Sequence, residues 1–441
     1  MRAVTLLYGI RMTLLLRPLP IPARSLPVVA ATLALLAGSW AVARDYADLR
    51  AAARAILGAN QGVYVEAADG EVLLAQAARQ PVHPASVSKV PTTLALLRGL
   101  GPDYRFTTTF SGSGAVHDGL LDGDLIVDGG GDPYFVDENA LLVAARLNEL
   151  GVHRVAGTLR VRGTLIFNWQ GDAAEARLRA VMSGQVPPSA WEAVSALTGA
   201  STGASTGAST GASGLPPPVL LFGAATSSPA PGPPYPAAQP LVAHRSQPLL
   251  SLVKALNDYS NNVFKPLADA AGGAAKVQEL ARSVVPVNMR SEITLGDGAG
   301  TDPRNRLSPR AAVKILQALE QELRLTDHSL VDVLPVAGFD PGTLQDRLNG
   351  AGESGCVVGK TGTFGEYGAS ALIGALRSRD HGTVYFAILN HGVPVPEARR
   401  RQDQLLRVLL ERLHVMPWIY QRDTRPAVAL AEAIPVVTGT H

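Results

Sequence analysis

The chain has 441 residues, long enough for two or three domains, and with 46% hydrophobic residues it can bury a full core. A formal net charge of +2 is too balanced to argue for nucleic acid or another polyanion as partner. The single cysteine, Cys356, excludes an intrachain disulfide and leaves the compartment to be read from elsewhere.

It is read from the N-terminus. Arg2, Arg11, Arg17 and Arg24 precede the uncharged stretch SLPVVAATLALLAGSWAVA (25–43), which ends in small-x-small residues before RDYADLR. A basic flank, a short apolar run and a small-residue exit describe a secretory signal peptide over 1–43, with Met12 as an alternative start and an uncleaved anchor as the rival reading. No other segment is apolar enough to span a membrane, so no integral membrane domain is expected after cleavage.

An amphipathic helix is expected over Tyr46 to Leu57, and QGVYVEAADGEVLLAQ (61–76) reads as two strands around an Asp69-Gly70 turn. PASVSK (84–89) then runs into the apolar helix VPTTLALLRGL. From 101 to 163 the pattern is short strands and Gly-rich turns, including GDLIVDGGGDPYF (123–135), with one helical run at 138–149. The unit TGAS repeats four times between Thr198 and Ser213; four residues without large apolar groups cannot build a packed repeat. With the Pro-rich stretch that follows, 198–240 is expected to be a disordered linker. Order resumes at QPLLSLVKALNDYSNN (247–262). Ser308-Pro309 supplies N-cap and N1 residues for a further helix. Three strands are expected near 355–364, 368–377 and 382–390, then the basic helix PEARRRQDQLLRVLLERL. The pattern is α/β: a discontinuous principal domain (44–100 and 241–415), a β-rich insertion (101–197), the linker (198–240) and a C-terminal tail (416–441).

Lysine is scarce here, six against 33 arginines, yet Lys89 stands three residues after Ser86. An amine can lose its proton once desolvated, which a guanidinium does not do in proteins. On one helix face, Ser86 and Lys89 make a hydroxyl nucleophile and a base for it, at a helix N-terminus suited to an oxyanion. Alone, Ser-x-x-Lys is a weak signal. A second copy, Ser251 to Lys254, lies within an amphipathic helix with no turn to present the serine. Two further segments strengthen the first: Ser260-Asn261-Asn262 in a short polar loop, and Lys360-Thr361-Gly362-Thr363 on a strand. Each alone reads equally well as a helix cap or a strand-end turn.

In the order Ser-x-x-Lys, Ser-x-Asn, Lys-Thr-Gly, the three match the signature set of penicillin-binding proteins and serine β-lactamases. With GDL and GGGDP, YSNN, LSPR, and LPVAG-FDPGTL before GKTGT, residues 46 to 415 resemble the class C low-molecular-mass penicillin-binding proteins. Those are periplasmic D-alanyl-D-alanine carboxypeptidases that also act as endopeptidases on peptidoglycan cross-links. The sequence departs from the pattern in a reduced insertion carrying the TGAS tract, in Ala299 where serine is expected, and in Pro341, an added residue; none is expected to touch the catalytic groups.

The resemblance implies a transpeptidase-type fold, an antiparallel sheet flanked by helices, in the periplasm, with peptidoglycan stem peptides and β-lactams as ligands and with no cofactor or metal. It implies that Ser86 attacks, Lys89 accepts the proton, Ser260 relays a proton to the leaving amine and Asn262 orients Lys89 and the substrate. Lys360, Thr361 and Thr363 would meet the terminal carboxylate beside Gly362, and the N–H groups of Ser86 and Thr363 would form the oxyanion hole. Rival readings are a serine β-lactamase, for which no Glu-x-x-x-Asn segment stands between the second and third motifs, and a non-catalytic peptidoglycan-binding relative. His83 and Cys356 read as structural, and the Arg399-Arg400-Arg401 run as a solvated helix face.

Overall fold

A computed structural model describes residues 46–201, 217–223, 238–259 and 263–436, with only the backbone of 198–201 and of Tyr367. The leader 1–43, Met12 with it, most of the TGAS and Pro-rich tract, and Ser260 to Asn262 lie outside the described residues. The two main sheets are built from Gly62–Ala67 (β1), Val72–Gln76 (β2), Thr107–Gly112 (β3), Leu125–Gly130 (β4), Leu159–Thr164 (β5), Gln239–Arg245 (β6), Val357–Phe364 (β7), Ala369–Ser378 (β8), Gly382–Asn390 (β9) and Glu432–Pro435 (β10).

The first sheet is antiparallel in the order β7-β8-β9-β1-β2, with the short strand Val415–Met416 pairing the end of β8. Its hairpin β1–β2 turns at Gly70, whose φ of +93° is open to glycine, while the Asp69 carboxylate accepts from the Glu71 amide. Both faces of the sheet are covered, as the alternation along β8 and β9 requires. Ala371, Ile373, Ala375, Tyr385 and Ala387 point into the larger core, shared with helices Lys89–Leu100 and Pro309–Arg324. On the opposite face, Gln402 of helix Val395–Arg412 donates to Ser370 and Asn390. Ser308 caps the 309–324 helix as expected, accepting from the Ala311 amide at 3.2 Å.

The second sheet runs β10-β6-β3-β4-β5 over its own core, which includes Phe110, Val127, Phe135, Leu141, Phe167, Val242 and Ala433. Three expected boundaries differ here. Residues 241–245, assigned to the principal domain, form most of β6 and bury Val242 in the second core; the tail segment 432–435 adds β10 beside it. The insertion also carries helices Asp137–Glu149, Ala174–Met182 and Pro188–Ser201 beside its strands. Within the expected linker, that last helix continues to Ser201, Leu220 is buried, and Leu221–Phe222 pairs in parallel with Arg154–Val155. The apolar run Val219 to Phe222 buries Leu220 in the second core, which orders this part of the Pro-rich stretch.

Candidate active site

The site begins at a strained turn. Ala85 has φ of +49°, a left-handed conformation unfavourable for alanine, and a 3-10 turn over Ala85–Ser88 leads into helix Lys89–Leu100. In a 3-10 turn side chains three residues apart eclipse, tighter than in the α-helix expected from the sequence. Ser86 and Lys89 are so placed: Lys89 Nζ donates to Ser86 Oγ at 2.8 Å.

Lys89 is fully buried and donates a second bond to the Ala299 carbonyl at 2.8 Å, with the Phe264 ring centroid 5.5 Å away. Burial pushes its pKa down to about 8, against an opposing pull from the Asp297 carboxylate. At pH 7 about one such amine in ten is neutral and able to take the Ser86 proton. Asp297 organises the loop that carries Ala299: it accepts from the Gly300 amide (2.8 Å), the Thr301 amide and hydroxyl (2.9 and 2.5 Å) and the Asn305 side chain (2.9 Å). The bond to Lys89 comes from the backbone carbonyl of Ala299, which a serine at this position would present equally. Gly300, at φ +88°, packs so closely that a Cβ would come within 1.9 Å of the Ala85 carbonyl oxygen.

The edge strand β7 supplies the opposite wall. A Cβ on Gly362 would stand 2.5 Å from the Pro84 oxygen and 3.1 Å from the Ser86 nitrogen, so only glycine lets this strand lie against the nucleophile's turn. Thr361 Oγ1 donates to Thr343 Oγ1 at 2.8 Å, and Thr363 is exposed. Lys360 is fully buried, donates to its neighbour's Thr361 carbonyl at 3.2 Å, and is held well below the usual lysine pKa by burial and then by Lys89. Its ammonium lies behind the residues that line the cavity at Ser86. A cation does face that cavity: Arg399, from the run read as solvated, donates to Thr363 Oγ1 at 2.9 Å. The cavity measures about 250 Å³ and is lined by Ser86, Thr343, Thr361, Thr363, Phe364 and Arg399 among others. Arg401 instead bonds the Leu57 carbonyl and Glu397.

Ser260 and Asn262 lie outside the described residues. The chain on either side is placed: the Asp258 carbonyl accepts from the Thr343 amide at 3.1 Å, and Phe264 lies beside Lys89. At the second Ser-x-x-Lys, Lys254 Nζ donates to Asp340 Oδ2 (2.5 Å) and to the Leu334 carbonyl (2.6 Å); among the described residues no hydrogen bond joins it to Ser251. His83 accepts from the Ala85 amide at 3.1 Å, meets the Asp302 carbonyl at 3.0 Å and stacks near Phe364, clamping the turn. Cys356 is buried, and burial pushes its thiol pKa up.

The sequence signals for Arg399, Thr343 and Asp297 were weak: a helix face, a turn threonine and a loop acid, each ordinary in isolation. A model of the D-Ala-D-Ala carboxypeptidase 3 (S13) family matches residues 45–175 and 229–412. The carboxypeptidase DacB of Mycolicibacterium smegmatis is 27% identical over 400 residues, 80% of each chain. Among solved structures, the penicillin G-acylated predatory endopeptidase Bd3459 of Bdellovibrio bacteriovorus superposes with a TM-score of 0.66 at 20% identity, covering 85% of this chain and 99% of that one. Penicillin binding protein 4 (dacB) of Haemophilus influenzae, in complex with a β-lactam, gives 0.59 at 18% identity over 84% and 99%. At these identities the structures show the shared fold.

Proposed function

The chain belongs to the D-Ala-D-Ala carboxypeptidase 3 (S13) family, and from that premise we propose that it is a serine D-alanyl-D-alanine carboxypeptidase and endopeptidase of the periplasm, acting on peptidoglycan stem peptides. The observation that carries the reading is the 2.8 Å contact between Ser86 Oγ and the buried, pKa-depressed Lys89 amine at the floor of the cavity. The printed descriptions of the relatives, a carboxypeptidase, a peptidase acylated by penicillin and a penicillin-binding protein, support the same chemistry.

Ser86 Oγ attacks the carbonyl carbon of the penultimate D-alanine as its proton passes to neutral Lys89. Negative charge on the carbonyl oxygen is met by the backbone N–H groups of Ser86 and Thr363. The C–N bond breaks as the terminal D-alanine nitrogen takes a proton, with Ser260 as relay, while Asn262 orients Lys89 and the substrate amide. Water then hydrolyses the Ser86 ester with Lys89 again taking the proton. The carboxylate of the leaving D-alanine is held by the Thr363 hydroxyl and the Arg399 guanidinium, with the Thr343 hydroxyl, which accepts from Thr361, beside them. Arg399 donates to Thr363 Oγ1, which leaves that hydroxyl's own proton for the ligand.

Incubating the protein with purified muropeptides and identifying products by mass tests this. Loss of one alanine from pentapeptides, or scission of cross-linked dimers, is expected from the native protein and not from Ser86→Ala. No mass change in either substrate would contradict it.

A further inference from the structure

A second concave surface lies in the body built on the second sheet. A cavity of about 500 Å³ opens between Tyr134, Asp137, Glu138, the turn Asn168-Trp169-Gln170 and the C-terminal segment 426–428. Trp169 is 46% exposed, unusual for the largest apolar side chain, and Tyr134 meets it edge-on with centroids 6.0 Å apart. The backbone is strained to present that ring: Asn168 and Trp169 are both left-handed, at φ +49° and +62°.

The strain is held in place. The Asn168 side chain donates to Asp137 Oδ1 at 2.8 Å and accepts from the Asp137 amide at 3.2 Å, and Phe167 and Gln170 exchange backbone bonds across the turn. Arg177 adds bonds to the Gln170 side chain and to the carbonyls of Phe167 and Gln170. A rigid, exposed indole beside a second aromatic ring, with carboxylate and amide groups at its edge, suits a ligand with an apolar C–H face and a rim of hydroxyl and amide groups. Asp137 and Glu138 would repel the carboxylates of a stem peptide, whereas a neutral amino-sugar strand meets them as hydrogen-bond acceptors.

The groove shares walls with a neighbouring cavity, whose lining is joined to the wall of the Ser86 cavity by a backbone hydrogen bond. Tyr134 and Ala427 line both the groove and that neighbouring cavity, of about 370 Å³, which reaches Asp258. Asp258 in turn accepts from Thr343, a wall of the Ser86 cavity. We propose that the Tyr134–Trp169 groove binds the glycan strand, an N-acetylated hexosamine oligosaccharide, while the attached stem peptide reaches Ser86. This rests on the peptidoglycan reading above and extends it from the peptide to the sugar.

Two measurements on the full chain test it. Tetra-N-acetylchitotetraose is titrated against the native protein, Trp169→Ala and Glu138→Gln by calorimetry, and D-alanine release is compared between glycan-linked and free pentapeptide. Saturable binding weakened about tenfold by Trp169→Ala is expected, with KM rising by about the same factor for the glycan-linked substrate alone. Absence of saturable binding, equal binding by native and Trp169→Ala proteins, or parallel losses on both substrates would overturn it. So would a change in self-association by ultracentrifugation without any oligosaccharide effect, which would mark a protein contact. If the native protein releases no D-alanine from the free pentapeptide, the Ser86 reading fails, while the titration still decides the groove.

Discussion

Replacing Lys89 by arginine keeps the charge and removes the proton acceptor. The native amine is fully buried with a pKa of about 8, so the neutral fraction is about a tenth at pH 7 and half at pH 8. A guanidinium with pKa above about 12 is neutral in fewer than about one molecule in 10⁵ at pH 7. The base is then lost almost entirely, and general-base catalysis by one group contributes about 10²- to 10⁴-fold. Acylation by a fluorescent penicillin should therefore fall by at least about 10²-fold in Lys89→Arg. In the native protein the acylation rate should climb about tenfold from pH 6 to 7, bend near pH 8 and level off above it, because the depressed folded pKa releases the proton as pH rises through that value. Melting curves establish that the variant is folded. Acylation of Lys89→Arg within a few-fold of native, or a native profile flat from pH 6 to 9, would refute Lys89 as the base.

Gly362→Ala puts a Cβ 2.5 Å from the Pro84 oxygen, so β7 must retreat from the Ser86 turn; acylation should fall more than about tenfold with a stability loss of about 1–3 kcal/mol. Native acylation and an unchanged melting temperature would disprove that close fit. Arg399→Gln should lower kcat/KM about 10- to 150-fold for acyl-D-Ala-D-Ala, the loss of one charge-assisted contact, and leave acyl-D-Ala-D-alaninamide nearly unaffected. Equal losses on acid and amide would show that Arg399 acts only through Thr363.

Much of the fold is legible because its signals are local. The Asp69-Gly70 turn demands positive φ at Gly70, the long apolar runs of β8 and β9 have no helical period, and Ser308-Pro309 opens a helix by its own chemistry. The two motif residues Ser86 and Lys89 are legible as a pair for the same reason, being three residues apart on one turn. Non-local pairing is not: nothing in 239–245 or 432–435 says that they join β3 and its neighbours rather than the principal sheet or the solvent. The same limit hides Arg399. Helical periodicity marks Ala398, Gln402 and Leu405 as the buried face, but the register that brings one neighbouring arginine over Thr363 is set by how the helix crosses the sheet. Burial likewise decides that Lys360 turns inward while Thr363 faces the cavity, a distinction that Lys-Thr-Gly as a string cannot carry.

The most direct test of the account is the fate of a penicillin adduct. Opening of the β-lactam ring by Ser86 leaves an ester, and its hydrolysis needs a water placed on the correct face by a base; the sequence has no Glu-x-x-x-Asn segment between Asn262 and Lys360 to provide one. A fluorescent penicillin should label the protein stoichiometrically for many minutes, with the adduct mapped by mass to Ser86. Label should be absent in Ser86→Ala and normal in Ser251→Ala, whose neighbouring Lys254 is tied to Asp340. An adduct on Ser251, rapid turnover of the penicillin, or no adduct at all would contradict it.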